Sequence, residues 1–214
     1  MSLYETIESL IPEGIPAIGA IFYNAIPARR FRKYYRIIAD NIPVEKGRIL
    51  DVGTGPGYLP IEIARKNPSI EVVGIDVSEK MVDIARKNAA GIDNIDFKVM
   101  DANRLEFDDD YFDFIVSSGS SHHWRSPVRI YNEIHRVLRK GRQAWIYELC
   151  PEIPKEEVKE ALFAPYPLFK FVASIHGIRE AEYHTRVRDI IESSKFSHYT
   201  FEKQAIAVKV VLRK

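Results

Sequence analysis

The densest group of glycines in this chain directly follows its first strongly apolar run. The segment reads Ile49-Leu50-Asp51-Val52-Gly53-Thr54-Gly55-Pro56-Gly57, a strand-like stretch that carries an acid and ends in glycines at alternate positions. Glycines let a backbone turn tightly at a strand end and approach a ligand with no Cβ in the way. A dinucleotide fingerprint, G-x-G-x-x-G, would set its third glycine at position 58, which here is Tyr58. The observed G-x-G-x-G spacing, with an acid on the strand, suits a sulfonium amino acid instead. Asp51 can help hold its ammonium group, while amides and carbonyls around Gly53, Thr54, Gly55 and Gly57 contact the rest. A tight strand-to-helix turn that binds nothing is the alternative.

Two more acids stand at later strand ends. In Val73-Gly74-Ile75-Asp76-Val77-Ser78, Asp76 lies about twenty residues beyond the glycines, where a carboxylate accepts hydrogen bonds from both hydroxyls of a ribose. Helix capping is its plainer role, although Ser78 already offers a cap. Val77, and Met81 on the helix beyond, are assigned to the same ligand. In Phe97-Lys98-Val99-Met100-Asp101-Ala102, Asp101 can accept from an adenine amino group while Ala102 lets the ring lie against the backbone. The alternative for Asp101 is a surface turn. Ser117-Ser118-Gly119-Ser120-Ser121-His122-His123-Trp124 is small and polar, then aromatic, so it can pass the reacting group and present side chains to a second molecule.

These loops need elements that end together. From residue 48 short apolar runs alternate with helical patterns, the mark of a parallel sheet covered on both faces. Strands are expected at 48–52, 71–77, 97–100, 112–117 and 143–149, with helices at about 58–66 and after Ser78. A further helix begins at Ser126-Pro127, with serine as cap and proline in the first turn, and is closed by Lys140-Gly141. Residues 185–194 read as one more helix. Two last runs, 199–203 and 206–212, are too close together for a helical crossover and form an antiparallel hairpin at the sheet edge. The expected fold is α/β: a seven-stranded mixed sheet of five parallel-type strands plus that hairpin, with helices on both faces. Such sheets bind ligands at the carboxyl ends of their strands, beside the switch point of strand order. One domain is expected over 1–214: an N-terminal helical lid (1–40), a cofactor-binding core (48–150), a substrate-side cover (151–184), then a helix and the hairpin (185–214).

Composition narrows the chemistry. The 214 residues include 31 Lys and Arg against 30 Asp and Glu, a formal net charge of +1. Attraction of the whole chain to nucleic acid or an acidic membrane is therefore not indicated. The single cysteine, Cys150, can form no internal disulfide and no paired-cysteine metal motif, and no metal site is expected. Without a signal-like segment or an apolar run near twenty residues, the expected compartment is the cytoplasm. Residues 29–36 interleave Arg29, Arg30, Arg32, Lys33 and Arg36 with aromatics, which could follow a phosphate backbone or form the solvated face of a lid helix.

Taken together, LDVGTGPG, GIDVSEKM, the MDA triplet, FDFIVSSGSSHHW and IHRVLRKG resemble class I S-adenosylmethionine methyltransferases. They are most like the broad group that includes the ubiquinone/menaquinone-biosynthesis methyltransferases. The resemblance implies a Rossmann-like methyltransferase fold, S-adenosyl-L-methionine as cofactor and S-adenosyl-L-homocysteine as product. It places Gly53, Thr54, Gly55 and Gly57 on the methionyl moiety, with Asp51, Asp76 on the ribose and Asp101 and Ala102 on the adenine. Val77, Met81, Ser117 and Ser118 complete that set. Arg142 departs from the second glycine common after Gly141, at a turn far from the cofactor.

Methyl transfer from a sulfonium needs alignment, desolvation and sometimes removal of an acceptor proton. His122 and His123 are the candidate bases, since imidazole titrates near neutrality; packing or cofactor contact is the alternative. Tyr23, Trp124 and Glu148 are the candidate acceptor contacts, although a solvated carboxylate is the simpler expectation for Glu148. A packed thiol is expected for Cys150 and a core position for Trp145. The fourth-strand segment lacks the Asn/Asp-Pro-Pro-aromatic motif of adenine-N6 and glutamine methyltransferases, and no Pro-Cys nucleophile exists for cytosine-C5 chemistry. The expected acceptor is a small molecule. The alternatives are RNA or protein reached through the basic helix, a cofactor-binding protein without catalysis, and an NAD-dependent oxidoreductase, which the glycine spacing disfavours.

Overall fold

A computed structural model describes residues 31–214, apart from 163–164, 168, 171–172 and 174–178. Its core is a seven-stranded sheet in the order β3-β2-β1-β4-β5-β7-β6. The strands are β1 (Gly47–Val52), β2 (Ile70–Asp76), β3 (Ile95–Val99), β4 (Phe112–Ser118), β5 (Leu138–Leu149), β6 (His198–Gln204) and β7 (Ala207–Arg213). The helices are α1 (Arg32–Asn41), α2 (Tyr58–Lys66), α3 (Glu79–Asn88), α4 (Pro127–Val137), α5 (Lys155–Ala161) and α6 (Glu180–Glu192). β1 through β5 pair in parallel, and β7 joins both β5 and β6 antiparallel.

The central strands are mostly apolar because helices cover both of their faces, with Asp51, Asp113 and Ser117 as buried polar exceptions. Ile49 to Val52 and Phe112 to Ser117 are buried without interruption. Chain order reverses at the β1–β4 pair, where Ile49 lies opposite Phe114 and Asp51 opposite Val116. The glycine loop and the serine-rich segment leave the sheet side by side at this point, which is where such folds bind ligands.

Four local expectations need correction. β3 runs over Ile95–Val99 rather than 97–100; as an edge strand it buries mainly Phe97, so its apolar signal is thin. The α4 helix ends at Val137, and Lys140-Gly141 lies within β5 instead of closing a helix. Gly141 (φ +74) takes up a register irregularity there, its N–H donates to Lys214 O at 2.9 Å, and Arg139 is drawn to Asp113 at 2.7 Å. Ser126 precedes Pro127 at the start of α4 but makes no side-chain cap bond. The last helix starts at Glu180, earlier than 185, and so spans the boundary drawn between cover and hairpin unit.

Helix α1 buries Tyr34, Ile38 and Ala39 and is fixed to α2 through Glu62. That carboxylate is 7% exposed and takes Arg32 and Arg36 in short ion pairs, each with an Nε–H donating at 2.8 Å. Two of the basic residues that might have followed a phosphate backbone are therefore spent on packing. Arg29 and Arg30 lie outside the described residues.

Candidate functional site

The loop after β1 is shaped by its neighbours. Gly53 and Thr54 both donate backbone N–H groups to Ile75 O, at 2.9 and 2.8 Å, which ties the loop to the end of β2. Gly53 has φ +73, and a Cβ there would collide with the Ser120 side chain. Gly55 differs: φ is +52, and a Cβ would meet nothing within 4 Å. Its bare face looks onto open space at the carboxyl edge. Backbone conformation asks for glycine at both positions, but only at Gly55 does it also leave room for a ligand to approach the main chain.

The acids around the loop are not equivalent. Asp51 is 2% exposed; burial pushes its carboxyl up to about 7, the Thr54 hydroxyl opposes that, and the Asp76 charge adds to it. A cation placed beside Asp51 would restore the charged form. Asp76, half-buried, accepts from Gly55 N–H at 2.8 Å and from Ser78 N–H at 2.9 Å. Burial raises its carboxyl while those two donors hold it down. Ser78 does cap α3, accepting from Met81 N–H at 3.4 Å, so Asp76 is not needed as the cap. Asp101 is exposed in a turn, accepting from Asn103 N–H and from its side-chain amide at 2.8 and 2.9 Å.

Val77 and Val99 are 44% and 49% exposed, the large hydrophobic residues most open to solvent among those described. Val99 pairs in register with Asp76, so both valines flank the carboxyl ends of β2 and β3. Each is an exposed apolar side chain at a strand end, Val77 directly after Asp76 and Val99 two residues before Asp101. Val99 was not among the sequence candidates, and its position at a strand end beside Asp101 is the signal that could have found it. Ala102 is half-buried, and Met81 is 2% exposed.

The segment after β4 closes the other side. Ser117 is fully buried and its Oγ–H donates to Val52 O at 2.8 Å, with Ser120 Oγ 3.0 Å away. Ser118 Oγ lies 3.4 Å from Tyr34 Oη. A short 3-10 turn, Ser121–His123, then carries the imidazoles over the end of β5. Glu148 is 1% exposed, contrary to the solvated carboxylate expected from its strand-end position. Its Oε1 accepts from Ser121 Oγ–H at 2.6 Å and from His122 N–H at 3.1 Å, and its Oε2 lies 2.9 Å from His122 Nδ1. Burial alone would raise this carboxyl, but the His122 charge and these donors hold it below the usual carboxylate range. His123 is exposed, its ring centroid 3.9 Å from that of His122. Trp124 is half-buried, edge-on to Tyr131 at 5.8 Å. Cys150 and Trp145 pack in the core as expected, while Tyr23 lies outside the described residues. Among the described residues no group of three or more His, Cys, Asp or Glu could hold a metal ion, and no helix is long and apolar enough to cross a membrane.

Known proteins share this architecture. Residues 49–141 match the family described as a methyltransferase domain. The demethylmenaquinone methyltransferase of Chlorobaculum tepidum is 31% identical over 163 residues, covering 76% of this chain and 61% of that protein. The chain thus spans less than two thirds of that relative's length. A protein of Methanococcus maripaludis, crystallised as a candidate S-adenosyl-L-methionine-dependent methyltransferase, superposes with a TM-score of 0.78 at 25% identity, over 95% of this chain and 97% of that one. Phosphoethanolamine N-methyltransferase 2 of Haemonchus contortus, in complex with phosphomonomethylethanolamine and S-adenosylhomocysteine, gives 0.63 at 22% identity, over 86% of this chain and 43% of that one. The fold is the Rossmann-like fold of the S-adenosylmethionine-dependent methyltransferases. The chain carries a methyltransferase domain over residues 49–141.

Proposed function

We propose that this protein transfers a methyl group from S-adenosyl-L-methionine to a small-molecule acceptor. The observation that carries the proposal is the open backbone at Gly55, whose N–H donates to the half-buried Asp76, in the loop that follows the buried Asp51 on β1. Protein packing does not account for that opening, and an ammonium-bearing nucleoside fits it. Bound there, the cofactor supplies an electrophilic sulfonium methyl with a good leaving group. Asp51 and the backbone of Gly53, Thr54, Gly55 and Gly57 would hold the methionyl end. Asp76 would take the ribose, with Val77, Ala102 and Asp101 on the adenine. Ser117 shapes the passage from below, and Ser118 and the His122–Glu148 pair line the side from which an acceptor arrives. Either His122 or His123 would receive an acceptor proton where one must leave.

A small acceptor is supported by the near-neutral charge and by Arg32 and Arg36 being committed to Glu62, since polyanion binding draws on many available cations. The relatives named for demethylmenaquinone support an apolar, planar acceptor. We further place a lid in residues 1–40 and a cover in 151–184, above a cofactor core at 48–150, with residues 185–214 as the closing helix and hairpin. The enzyme is assigned to the cytoplasm, where its one buried thiol stays reduced. The test is transfer of labelled methyl from S-adenosylmethionine to metabolite and RNA pools. Label in small molecules supports the assignment, and label confined to RNA or protein overturns it.

A further inference from the structure

The turn after β4 holds two imidazoles in unlike surroundings. The His122 side chain is 13% exposed, and its Nδ1 lies 2.9 Å from Glu148 Oε2 at the end of β5. Burial works against an ionised Glu148, but His122, the Ser121 hydroxyl and the His122 amide outweigh it and hold the carboxyl below its ordinary range. An ionised carboxylate only accepts hydrogen bonds, so His122 Nδ1 carries the hydrogen between them. His123, the next residue, is exposed, and its ring centroid is 3.9 Å from that of His122. Two imidazolium rings at that distance repel, so the pair takes a first proton on one ring and resists a second. Glu148 decides which ring takes it: the buried carboxylate favours a cation on His122, which it touches, and leaves His123 neutral. Tyr131 from α4 and Tyr183 and Arg186 from α6 line the space beside His122. Burial keeps both tyrosines neutral. Arg186 is exposed, as is Arg125 two residues beyond His123, so water screens both.

Building on the methyl-transfer assignment, we propose that His123, and not His122, takes the acceptor's proton, and that the His122–Glu148 pair is a positioning pair that keeps His123 neutral near pH 7. The turn stands at the cofactor edge. His123 N–H donates to Ser120 O at 3.0 Å, and Ser120, whose Oγ–H donates to Val52 O at 3.1 Å, is the side chain that a Cβ at Gly53 would strike. His123 therefore sits on a turn held to the glycine loop on one side and, through Glu148, to β5 on the other. In the transfer step an electron pair of the acceptor forms the new bond to the methyl carbon, and the carbon–sulfur pair returns to sulfur and cancels its charge. The acceptor's proton passes to the neutral His123 ring and on to water. His122 is unsuited to that role, because its Nδ1 is committed to Glu148 and its Nε2 is buried.

The test follows the histidine ring signals by NMR in the full chain saturated with S-adenosylhomocysteine, in the wild type and in His122→Gln, His123→Gln and Glu148→Gln. In the wild type the His123 ring should titrate at least about one pH unit below the His122 ring. In His122→Gln its midpoint should return toward an ordinary ~6.5, and in Glu148→Gln the gap between the two rings should narrow. Purely structural roles for His122 and Glu148 would leave the His123 midpoint where it was. Coincident midpoints, His123 titrating above His122, or a His123 midpoint unmoved in His122→Gln overturns the proposal. Transfer of labelled methyl from S-adenosylmethionine to the small-molecule pool gives the second reading. His123→Gln should cut the initial rate about tenfold or more while S-adenosylhomocysteine affinity stays within a few-fold, and in His122→Gln the acid limb of the rate should move to higher pH. A wild-type rate in His123→Gln also overturns the proposal. A wild-type protein that neither binds S-adenosylhomocysteine nor transfers label overturns the methyl-transfer assignment instead, so the two failures are distinguishable.

Discussion

Replacing Asp51 with asparagine should stabilise the ligand-free protein at alkaline pH while weakening its hold on the cofactor. Asp51 is buried on β1, and burial pushes its carboxyl up to about 7. In the unfolded chain the group titrates near an ordinary ~3.9. Between those values the folded protein keeps a proton that the unfolded chain releases. The stability contributed by Asp51 is therefore fully present below about pH 4 and lost as the pH rises through about 7. About three pK units at roughly 1.4 kcal/mol each put the full loss near 4 kcal/mol. Asparagine does not ionise, so its advantage over the wild type should grow by about 2–3 kcal/mol between pH 5 and pH 8. Urea unfolding of both proteins across that range measures the difference. The difference must be read, rather than one curve, because His135 is lowered by burial and gains stability in the opposite direction as the pH rises. A variant-minus-wild-type difference that stays flat with pH would refute the argument that Asp51 is held protonated by burial. In the same variant, S-adenosylhomocysteine should bind more weakly at pH 8, where the wild-type carboxylate is charged and, on the proposed assignment, would meet the ammonium.

Three further outcomes follow from named contacts. Asp76→Ala should cost roughly 1.5–3 kcal/mol of S-adenosylhomocysteine binding, the scale of a charge-assisted hydrogen bond, with the fold intact by circular dichroism; an unchanged dissociation constant would show the ribose held elsewhere. Glu148→Gln removes the carboxylate charge beside His122 Nδ1, so kcat should fall by about tenfold or more while cofactor affinity stays within a few-fold; a kcat equal to wild type would remove the pair from the acceptor side. Glu62→Ala leaves Arg32 and Arg36 without their carboxylate and should lower stability by about 1–3 kcal/mol, less than a fully buried pair because both arginines reach solvent; no change on thermal unfolding would show that α1 is held by Tyr34 and Ile38 alone.

What could be foreseen from the residues divides along one physical line. Short-range signals carried over well. The apolar strands, the glycine turn and the Ser78 cap each depend on neighbours a few positions away, and the sheet with its edge hairpin follows from their alternation. Features that depend on distant partners did not carry over. Glu148 at a strand end looked solvated, yet Ser121 and His122 come from the loop after a different strand and bury it. The basic face of α1 looked free for an anionic partner until Glu62, from α2, took up two of its arginines. Lys140-Gly141 has the composition of a helix stop, but pairing with Lys214 at the far end of the chain makes it part of β5. The open main chain at Gly55 depends on what does not surround it, which spacing alone cannot show.

The carboxyl edge of β1 and β2 is proposed to take a sulfonium nucleoside and not a dinucleotide. Titration calorimetry of the wild-type protein with S-adenosylhomocysteine and with NAD tests it most directly. Saturable heat at one site is expected for S-adenosylhomocysteine, weakened by Asp76→Ala, and none for NAD. Saturable binding of NAD by folded protein that ignores S-adenosylhomocysteine would contradict it.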